Sequence, residues 1–232
     1  MIVIPTYNEK DNIRPLIAAI RRAVPQEAIL FIDDNSPDGT ASEIRSVAAQ
    51  DTNITLLIRP TKQGLGTAYR EVFMKVAVEG TPAYVITMDA DLSHPAYKLP
   101  EMIRLLAEYP VVVGSRYTPG GAIKNWQWYR RFLSRVANLY ARIAGGVPIT
   151  DLTSGFVGYR TEILQKLPLE TIKSEGYAFM IEMKYLVYRS HTFMKEFPIT
   201  FVERREGHSK LSWRVSLEAV RFTTSILLRR LL

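Results

Sequence analysis

The sequence predicts a single α/β domain built on a mostly parallel β-sheet that is covered by helices. The 232 residues are enough for one sizeable core, and the 47% hydrophobic and 23% charged fractions are typical of a globular protein. Aliphatic runs alternate with helix-like segments through the first hundred residues, as in βαβ units. Polar clusters follow the ends of these runs, where a parallel sheet forms its ligand crevice.

The elements can be assigned in order from residue spacing. The segment from Asn12 to Ala23 has Ile13, Leu16, Ile17 and Ile20 at helical spacing. Short aliphatic runs predict strands at residues 1–5, 28–32, 54–58, 84–88, 111–114 and 193–202. Further helices are predicted up to about residue 78 and at residues 99–108, 126–143, 176–187 and 212–232. We expect residues 1–114 to form a nucleotide-binding half and residues 115–232 an acceptor half.

The fourth strand ends in Asp89-Ala90-Asp91, followed by Ser93, His94 and Pro95, which prevent the strand from continuing. If the backbone stays extended through Ala90, both aspartates point to the same side. Two carboxylates that close together favour a hard divalent cation, Mg²⁺ or Mn²⁺. The alternative is a strand-end turn with two solvated aspartates.

Two other polar clusters follow predicted strands. The segment Pro5 to Glu9 follows the first strand, and Asp33-Asp34 follows the second. We expect these clusters to meet Asp89 and Asp91 at one edge of the sheet, which predicts a nucleotide site. The pair Gly64-Leu-Gly66 lacks the third glycine of a dinucleotide fingerprint and the Gly-Lys-Ser/Thr ending of a P-loop, so it indicates neither.

Net charge narrows the class of ligand. The chain carries a formal charge of +7 and has a pI near 9.6, which suits an anionic partner such as a nucleotide, a lipid phosphate or a nucleic acid. A nucleic-acid-binding protein is the alternative from a different functional class. It gives no role to the aspartates at the strand ends, which would repel phosphate without a metal. With no cysteine, the chain has neither disulfides nor thiolate metal sites.

Residues 126–143 and 212–232 are predicted to be amphipathic helices. In the first, apolar residues follow a helical stripe and arginines cover the rest, with tryptophans at its start. It is either an ordinary helix packed on the sheet or an interfacial helix lying on a membrane. The chain contains no run of about 20 apolar residues, so we expect peripheral membrane attachment. Arg116, after the strand at 111–114, is a natural partner for a phosphate oxygen.

Taken together, the motifs resemble those of dolichyl-phosphate (polyprenyl-phosphate) mannose synthases, which are family 2 glycosyltransferases with the GT-A, Rossmann-like fold. The resemblance covers nearly the whole chain. The matching motifs are Ile4-Pro-Thr-Tyr-Asn-Glu9, Asp33-Asp-Asn-Ser-Pro-Asp-Gly-Thr40, Gly64-Leu-Gly-Thr-Ala-Tyr69, Met88-Asp-Ala-Asp-Leu-Ser-His-Pro95, Gly114-Ser-Arg-Tyr117, Asp151-Leu-Thr-Ser-Gly-Phe156 and Gly207-His-Ser-Lys210.

The resemblance implies a role for each matching position. Guanosine contacts are expected from Pro5, Tyr7, Glu9, Ile32 and Asp34. The metal and diphosphate site is expected at Asp89, Ala90 and Asp91, with the metal ligands Asp89, Asp91 and Ser93. The lipid phosphate is expected at Arg116, Arg130 and Ser134, and a loop closing over the donor at Arg204 and Lys210. A lysine donor contact of some relatives is replaced by Ala178.

The implied activity is metal-dependent, inverting transfer of mannose from GDP-mannose to dolichyl or polyprenyl phosphate, with Asp91, Arg116 and Arg130 as the catalytic residues. The expected location is the cytoplasmic face of a membrane. Whether a partner subunit anchors the protein there is left open. We expect no nucleic-acid partner. The nearest alternative is a polyprenyl-phosphate glucose synthase that uses UDP-glucose. Asp151 is the candidate base if the acceptor is a hydroxyl group.

Overall fold

A computed structural model describes residues 1–203 and 213–231. Seven strands form the central sheet in the order β3-β2-β1-β4-β7-β5-β8. Their bounds are β1 Ile2–Thr6, β2 Ile29–Asp33, β3 Ile54–Ile58, β4 Tyr84–Thr87, β5 Val111–Ser115, β7 Val157–Arg160 and β8 Met194–Pro198. A small parallel pair consists of β6 Ala122–Lys124 and β9 Thr200–Val202.

The sheet is parallel except at β7, which pairs antiparallel with both β4 and β5. The remaining pairs, β1 with β2 and β4, β2 with β3, and β5 with β8, are parallel. The predicted α/β fold with a mostly parallel sheet is therefore confirmed. Because all parallel strands run the same way, the segments that follow β1, β2, β4 and β5 reach one edge.

Helices cover both faces of the sheet, as expected for aliphatic strands that must be buried on both sides. Ile13, Leu16 and Ile20 of the first helix lie in the core on one face, together with Met102 of the fourth. The core on the other face includes residues of the third, fifth and seventh helices. The helices are α1 Lys10–Ala23, α2 Thr40–Ala48, α3 Leu65–Glu79, α4 Leu99–Leu106, α5 Trp128–Gly145, α6 Thr161–Leu164, α7 Gly176–Arg189 and α8 Trp213–Leu231.

Three expectations about the elements need correction. The strand expected at 193–202 is two strands, because the chain leaves the main sheet after Pro198 and pairs with β6 from Thr200. The helix expected from residue 126 begins at Trp128. Strand β4 ends at Thr87, one residue earlier than expected.

The two helices predicted to be amphipathic both form. On α5, the exposed apolar side chains form one continuous face: Trp128, Tyr129, Phe132, Leu133, Val136, Leu139 and Ile143. The buried side of α5 includes Asn138 and Ala141, and Tyr140 shares a 2.7 Å hydrogen bond with Thr224 of α8. Within residues 1–203 and 213–231, no helix combines the length and the apolar character needed to cross a bilayer.

Candidate active site

The segment after β4 contains the two aspartates. Its backbone bends at Ala90 instead of staying extended, and Leu92 adopts a left-handed conformation with φ 62°. The condition for strand alternation to align Asp89 with Asp91 is therefore not met, and the turn sets their positions. The carboxylate of Asp91 accepts a hydrogen bond from the backbone N–H of Ser93 at 3.1 Å. This short-range bond fixes the aspartate within its own turn.

Ser93 is buried, and its hydroxyl oxygen has no hydrogen-bond partner among the described residues. An orphaned buried hydroxyl is costly, so its position next to Asp91 indicates a ligand or a water that completes it. Asp89 keeps about a third of its side chain exposed at 34%. Among the described residues, no three acidic or histidine side chains gather into a metal cluster. The two carboxylates and the Ser93 hydroxyl would supply oxygen donors only, which is the ligand chemistry that suits Mg²⁺ or Mn²⁺.

His94 orients Asp89, a role that sequence reasoning did not assign. Its Nδ1 accepts the backbone N–H of Asp89 at 3.0 Å, and its Nε2 lies 3.7 Å from the Asp89 carboxylate. The imidazole stacks on Phe156 at 5.4 Å between ring centroids. Gly155 approaches from the same side, since a Cβ there would lie 3.6 Å from the Asp89 Oδ1 atom. The turn before β7 therefore forms one wall of the aspartate site.

Asp34 is held by a buried arginine that sequence reasoning missed. Arg59, which follows β3, donates to its carboxylate from Nε at 2.5 Å. The second carboxylate oxygen of Asp34 accepts the backbone N–H groups of Gln63 and Gly64 at 3.2 and 3.0 Å. Arg59 also donates to the Gly64 carbonyl at 2.7 Å and to Thr67 at 2.8 Å. Asp34 and Arg59 together fix the glycine loop at the start of α3.

The other positions expected to contact guanosine lie near or just after the carboxyl ends of β1 and β2. Pro5 and Ile32 are register partners near the carboxyl ends of β1 and β2. Tyr7 is half-buried, and the Lys62 ammonium lies 3.9 Å from the centre of its ring. Glu9 is buried and accepts a hydrogen bond from Asn12 at 2.7 Å. The structure therefore brings the whole predicted set to one end of the sheet, although their contact with guanosine stays a prediction.

Arg116 and Asp151 form a buried ion pair. The Nε and Nη2 atoms of Arg116 each donate to one carboxylate oxygen of Asp151 at 2.7 Å, and Nη2 also donates to Thr153 at 2.7 Å. Burial opposes the ionisation of Asp151, but the charge and hydrogen bonds of Arg116 outweigh it and hold the pKa of Asp151 below its usual range. A fully buried carboxylate in this arrangement cannot serve as a base toward substrate. The conditional assignment of Asp151 as a base is wrong.

Arg130 and Ser134 lie on the first two turns of α5. Arg130 forms an ion pair with Glu203, and its guanidinium lies 4.9 Å from the centre of the Trp126 ring. Ser134 accepts a hydrogen bond from the Tyr117 hydroxyl at 2.7 Å. Trp126 also lies 5.8 Å from the Arg116 guanidinium, so both arginines border one aromatic ring. The predicted loop residues Arg204 and Lys210 lie outside the described residues.

Comparison with known proteins identifies the family. Residues 1–168 match the model of glycosyl transferase family 2. The chain belongs to this family. The glycosyltransferase is 39% identical over 220 residues to the undecaprenyl-phosphate mannosyltransferase of Micrococcus luteus, covering 95% of this chain and 90% of that protein. It is 34% identical over 229 residues to the dolichol-phosphate mannosyltransferase of Saccharomyces cerevisiae, covering 94% and 82%. The resemblance read from the motifs is confirmed.

Solved structures with the same fold are more distant in sequence. The glucosyl-3-phosphoglycerate synthase of Mycobacterium tuberculosis, in complex with UDP, superposes with a TM-score of 0.69 at 17% identity, over 97% of this chain and 79% of that one. A mannosyltransferase of Pyrobaculum calidifontis, in complex with GDP-Man and Mn²⁺, superposes with a TM-score of 0.65 at 18% identity, over 98% and 63%. These similarities confirm the glycosyltransferase fold.

Proposed function

We propose that this glycosyltransferase transfers mannose from GDP-mannose to a polyprenyl phosphate, with inversion at the anomeric carbon. The observation that supports it most is the placement of an acidic group and a basic group at one sheet edge. Asp89 and Asp91 follow β4, and Arg116 follows β5, two strands away in the sheet. A nucleotide sugar and a phosphate acceptor need such neighbouring sites. The named relatives of Micrococcus luteus and Saccharomyces cerevisiae act on lipid phosphates and mannose.

The donor half of the site is assigned to the ends of β1, β2 and β4. Pro5, Tyr7, Glu9, Ile32 and Asp34 would surround the guanosine, with Asp34 acting mainly through the Gly64 loop that it fixes. Asp89, Asp91 and Ser93 would hold Mg²⁺ or Mn²⁺. When bound, such a cation neutralises negative charge on the diphosphate leaving group. The turn geometry of Asp91 and the orientation of Asp89 by His94 keep the two carboxylates in place before substrate arrives.

The acceptor half is assigned to Arg116, Arg130 and Ser134. A phosphate monoester is already ionised near neutral pH, so attack on the anomeric carbon needs no general base. This agrees with the burial of Asp151 beneath Arg116, which leaves that carboxylate no role as a base. The protein's task is then to fix the phosphate in line with the bond that breaks. Asp151 and Thr153 hold the Arg116 guanidinium in one orientation for this purpose.

The acceptor's lipid chain requires contact with a membrane, and α5 supplies a suitable surface. Its apolar face includes Trp128, Phe132 and Leu139, which are 76%, 61% and 55% exposed. Arg131, Arg135 and Arg142 flank that face on one side, where they can meet lipid phosphates. We propose peripheral attachment through α5 at the cytoplasmic face, where a nucleotide-sugar donor would be supplied. A membrane-anchoring partner subunit is the competing means of attachment.

The test is transfer of radiolabelled mannose from GDP-mannose to polyprenyl phosphate in the presence of Mn²⁺ or Mg²⁺, followed by organic extraction. Label in the organic phase, lost on chelation, supports the proposal. The same assay is run with radiolabelled UDP-glucose. If only UDP-glucose transfers label, it would replace GDP-mannose as the assigned donor. A salt-sensitive shift of DNA or RNA without sugar transfer would contradict the proposal and favour a nucleic-acid-binding protein.

A further inference from the structure

Lys184 is a lysine in the middle of α7 with no exposed surface. Its Nζ atom donates to the backbone carbonyls of Ser154 at 2.7 Å, Leu152 at 3.0 Å and Met180 at 3.3 Å. A buried lysine is rare because the charge loses its hydration. A methionine would fill similar space without that cost, but it would remove this donor from two carbonyls of one short turn.

The turn at residues 151–155 contacts both halves of the proposed site. At one end, Asp151 holds the Arg116 guanidinium through two hydrogen bonds. At the other end, Gly155 packs beside Asp89, where a Cβ would lie 3.6 Å from the carboxylate. Thr87 donates to the Gly155 carbonyl at 2.6 Å and ties that end to β4. A displacement of this turn would therefore move the acceptor arginine and the wall of the aspartate site together.

The Lys184 Nζ atom also lies among charged groups of the neighbouring elements. Burial lowers the pKa of Lys184, and the charge of Arg116 lowers it further, while Asp151 and Glu196 act in the opposite direction. Glu196 in turn accepts the backbone N–H groups of Thr150 and Asp151 at 2.8 and 3.1 Å. Glu196 of β8 thus holds the start of the turn, and Lys184 of α7 holds its middle.

We infer that Lys184 is a positioning residue for mannosyl transfer, acting through the turn at residues 151–155 to set Arg116 relative to Asp89. The inference rests on the proposed function and adds a residue that touches neither substrate. A shift of a reacting group by about 1 Å can reduce a rate by about 100-fold. Replacement of Lys184 is therefore expected to affect turnover and acceptor use more than nucleotide binding, which depends on the ends of β1 and β2.

The experiment compares Lys184→Met with the wild-type chain and with Lys166→Met, whose lysine is exposed. We expect Lys184→Met to lower kcat by about tenfold or more and to raise the KM for polyprenyl phosphate, while the Kd for GDP changes less than about twofold. Lys166→Met should match the wild type. Unchanged kcat and KM in a folded Lys184→Met variant would overturn the inference. So would a parallel loss of GDP binding, kcat and thermal stability, because that is the behaviour of a merely structural residue.

A second variant covers the case in which Lys184→Met does not fold. The chain contains no cysteine, so Lys184→Cys introduces a single thiol. Alkylation of the unfolded variant with 2-bromoethylamine, followed by refolding, rebuilds an amine at the lysine position. Recovery of kcat to within about threefold of refolded wild type supports positioning by the amine. No recovery, when refolded wild type is active, overturns it. Absence of transfer by the wild type itself would instead overturn the proposed function.

Discussion

Arg116 donates to both carboxylate oxygens of Asp151 at 2.7 Å, and both side chains are buried. Loss of one partner leaves the other charge in the core without compensation, which is strongly destabilising. The pair also fixes the orientation of the guanidinium proposed to meet the acceptor phosphate. The same two residues thus connect the stability of the fold to the chemistry of the site.

Asp151→Asn is therefore expected to lower the free energy of unfolding by about 3 kcal/mol and to raise the KM for polyprenyl phosphate. Urea denaturation and steady-state kinetics measure the two effects. The control is Glu162→Gln, which breaks the more exposed pair with Arg160 and should cost less than about 1 kcal/mol. Equal small losses in both variants would contradict the role given to the buried pair.

Asp91→Asn should abolish mannosyl transfer while the chain stays folded. The change removes one negative charge from the proposed ligand set of Asp89, Asp91 and Ser93, so divalent cations should bind more weakly. We expect turnover to fall at least about 100-fold, measured with GDP-mannose over a range of Mn²⁺ concentrations. Asp11→Asn, in the exposed first turn of α1, should behave like wild type. Full activity of Asp91→Asn at low Mn²⁺ would remove the aspartate pair from the mechanism.

The ion pair between Arg130 and Glu203 suggests a test of the acceptor site. If Arg130 binds the lipid phosphate, the Glu203 carboxylate competes with that phosphate for the Arg130 guanidinium. Glu203→Gln should then lower the KM for polyprenyl phosphate by about threefold, a size appropriate to a partly exposed pair. Glu101→Gln, which breaks the pair between this α4 residue and Lys98, serves as the control. A higher KM in Glu203→Gln would indicate that Glu203 holds Arg130 in its productive position.

The sequence predicted the strands well where aliphatic runs end in polar clusters, because burial on both faces of a parallel sheet requires such runs. The direction of β7 could not be predicted, because its four residues do not indicate which strands it pairs with. The buried roles of Arg59 and Lys184 were also missed, because isolated basic residues usually lie in solvent. Their partners, the Gly64 loop and the turn at 151–155, come from distant parts of the chain.

The predicted site residues differ in how far local sequence determines their surroundings. Asp91 and Ser93 interact within one turn, so neighbouring residues alone determine this contact. Asp151 was conditionally given the role of a base because its motif does not reveal that Arg116, 35 residues away, occupies both of its carboxylate oxygens. Long-range pairing decided its chemistry.

Helix α5 leads to a prediction about membrane attachment. Phe132→Glu places a charge in the exposed apolar face, which should weaken binding to vesicles containing phosphatidylglycerol by about tenfold or more, the cost of removing one buried aromatic side chain from lipid. Sedimentation with vesicles measures it. Val78→Glu is a matched control, because Val78 on α3 is 88% exposed but lies outside that face. Equal weakening by both variants would contradict attachment through α5, and unchanged binding in Phe132→Glu would favour a partner subunit.

The pKa of Lys184 predicts how stability depends on pH. Burial lowers this pKa to about 7, against the opposing influence of Asp151 and Glu196, whereas an unfolded lysine titrates near 10.5. Between these values the unfolded chain binds more protons than the native chain, so the contribution of Lys184 to the free energy of unfolding increases with pH across this window. Lys184→Met lacks the titration. The difference in unfolding free energy between wild type and Lys184→Met should therefore shift in favour of wild type from pH 7 to pH 9.5, by at most about 1.4 kcal/mol per pH unit.

Urea denaturation at each pH measures this difference, and Lys166→Met is expected to show no such trend. A difference that is constant with pH, or that moves toward the variant, would mean that Lys184 stays charged in the fold.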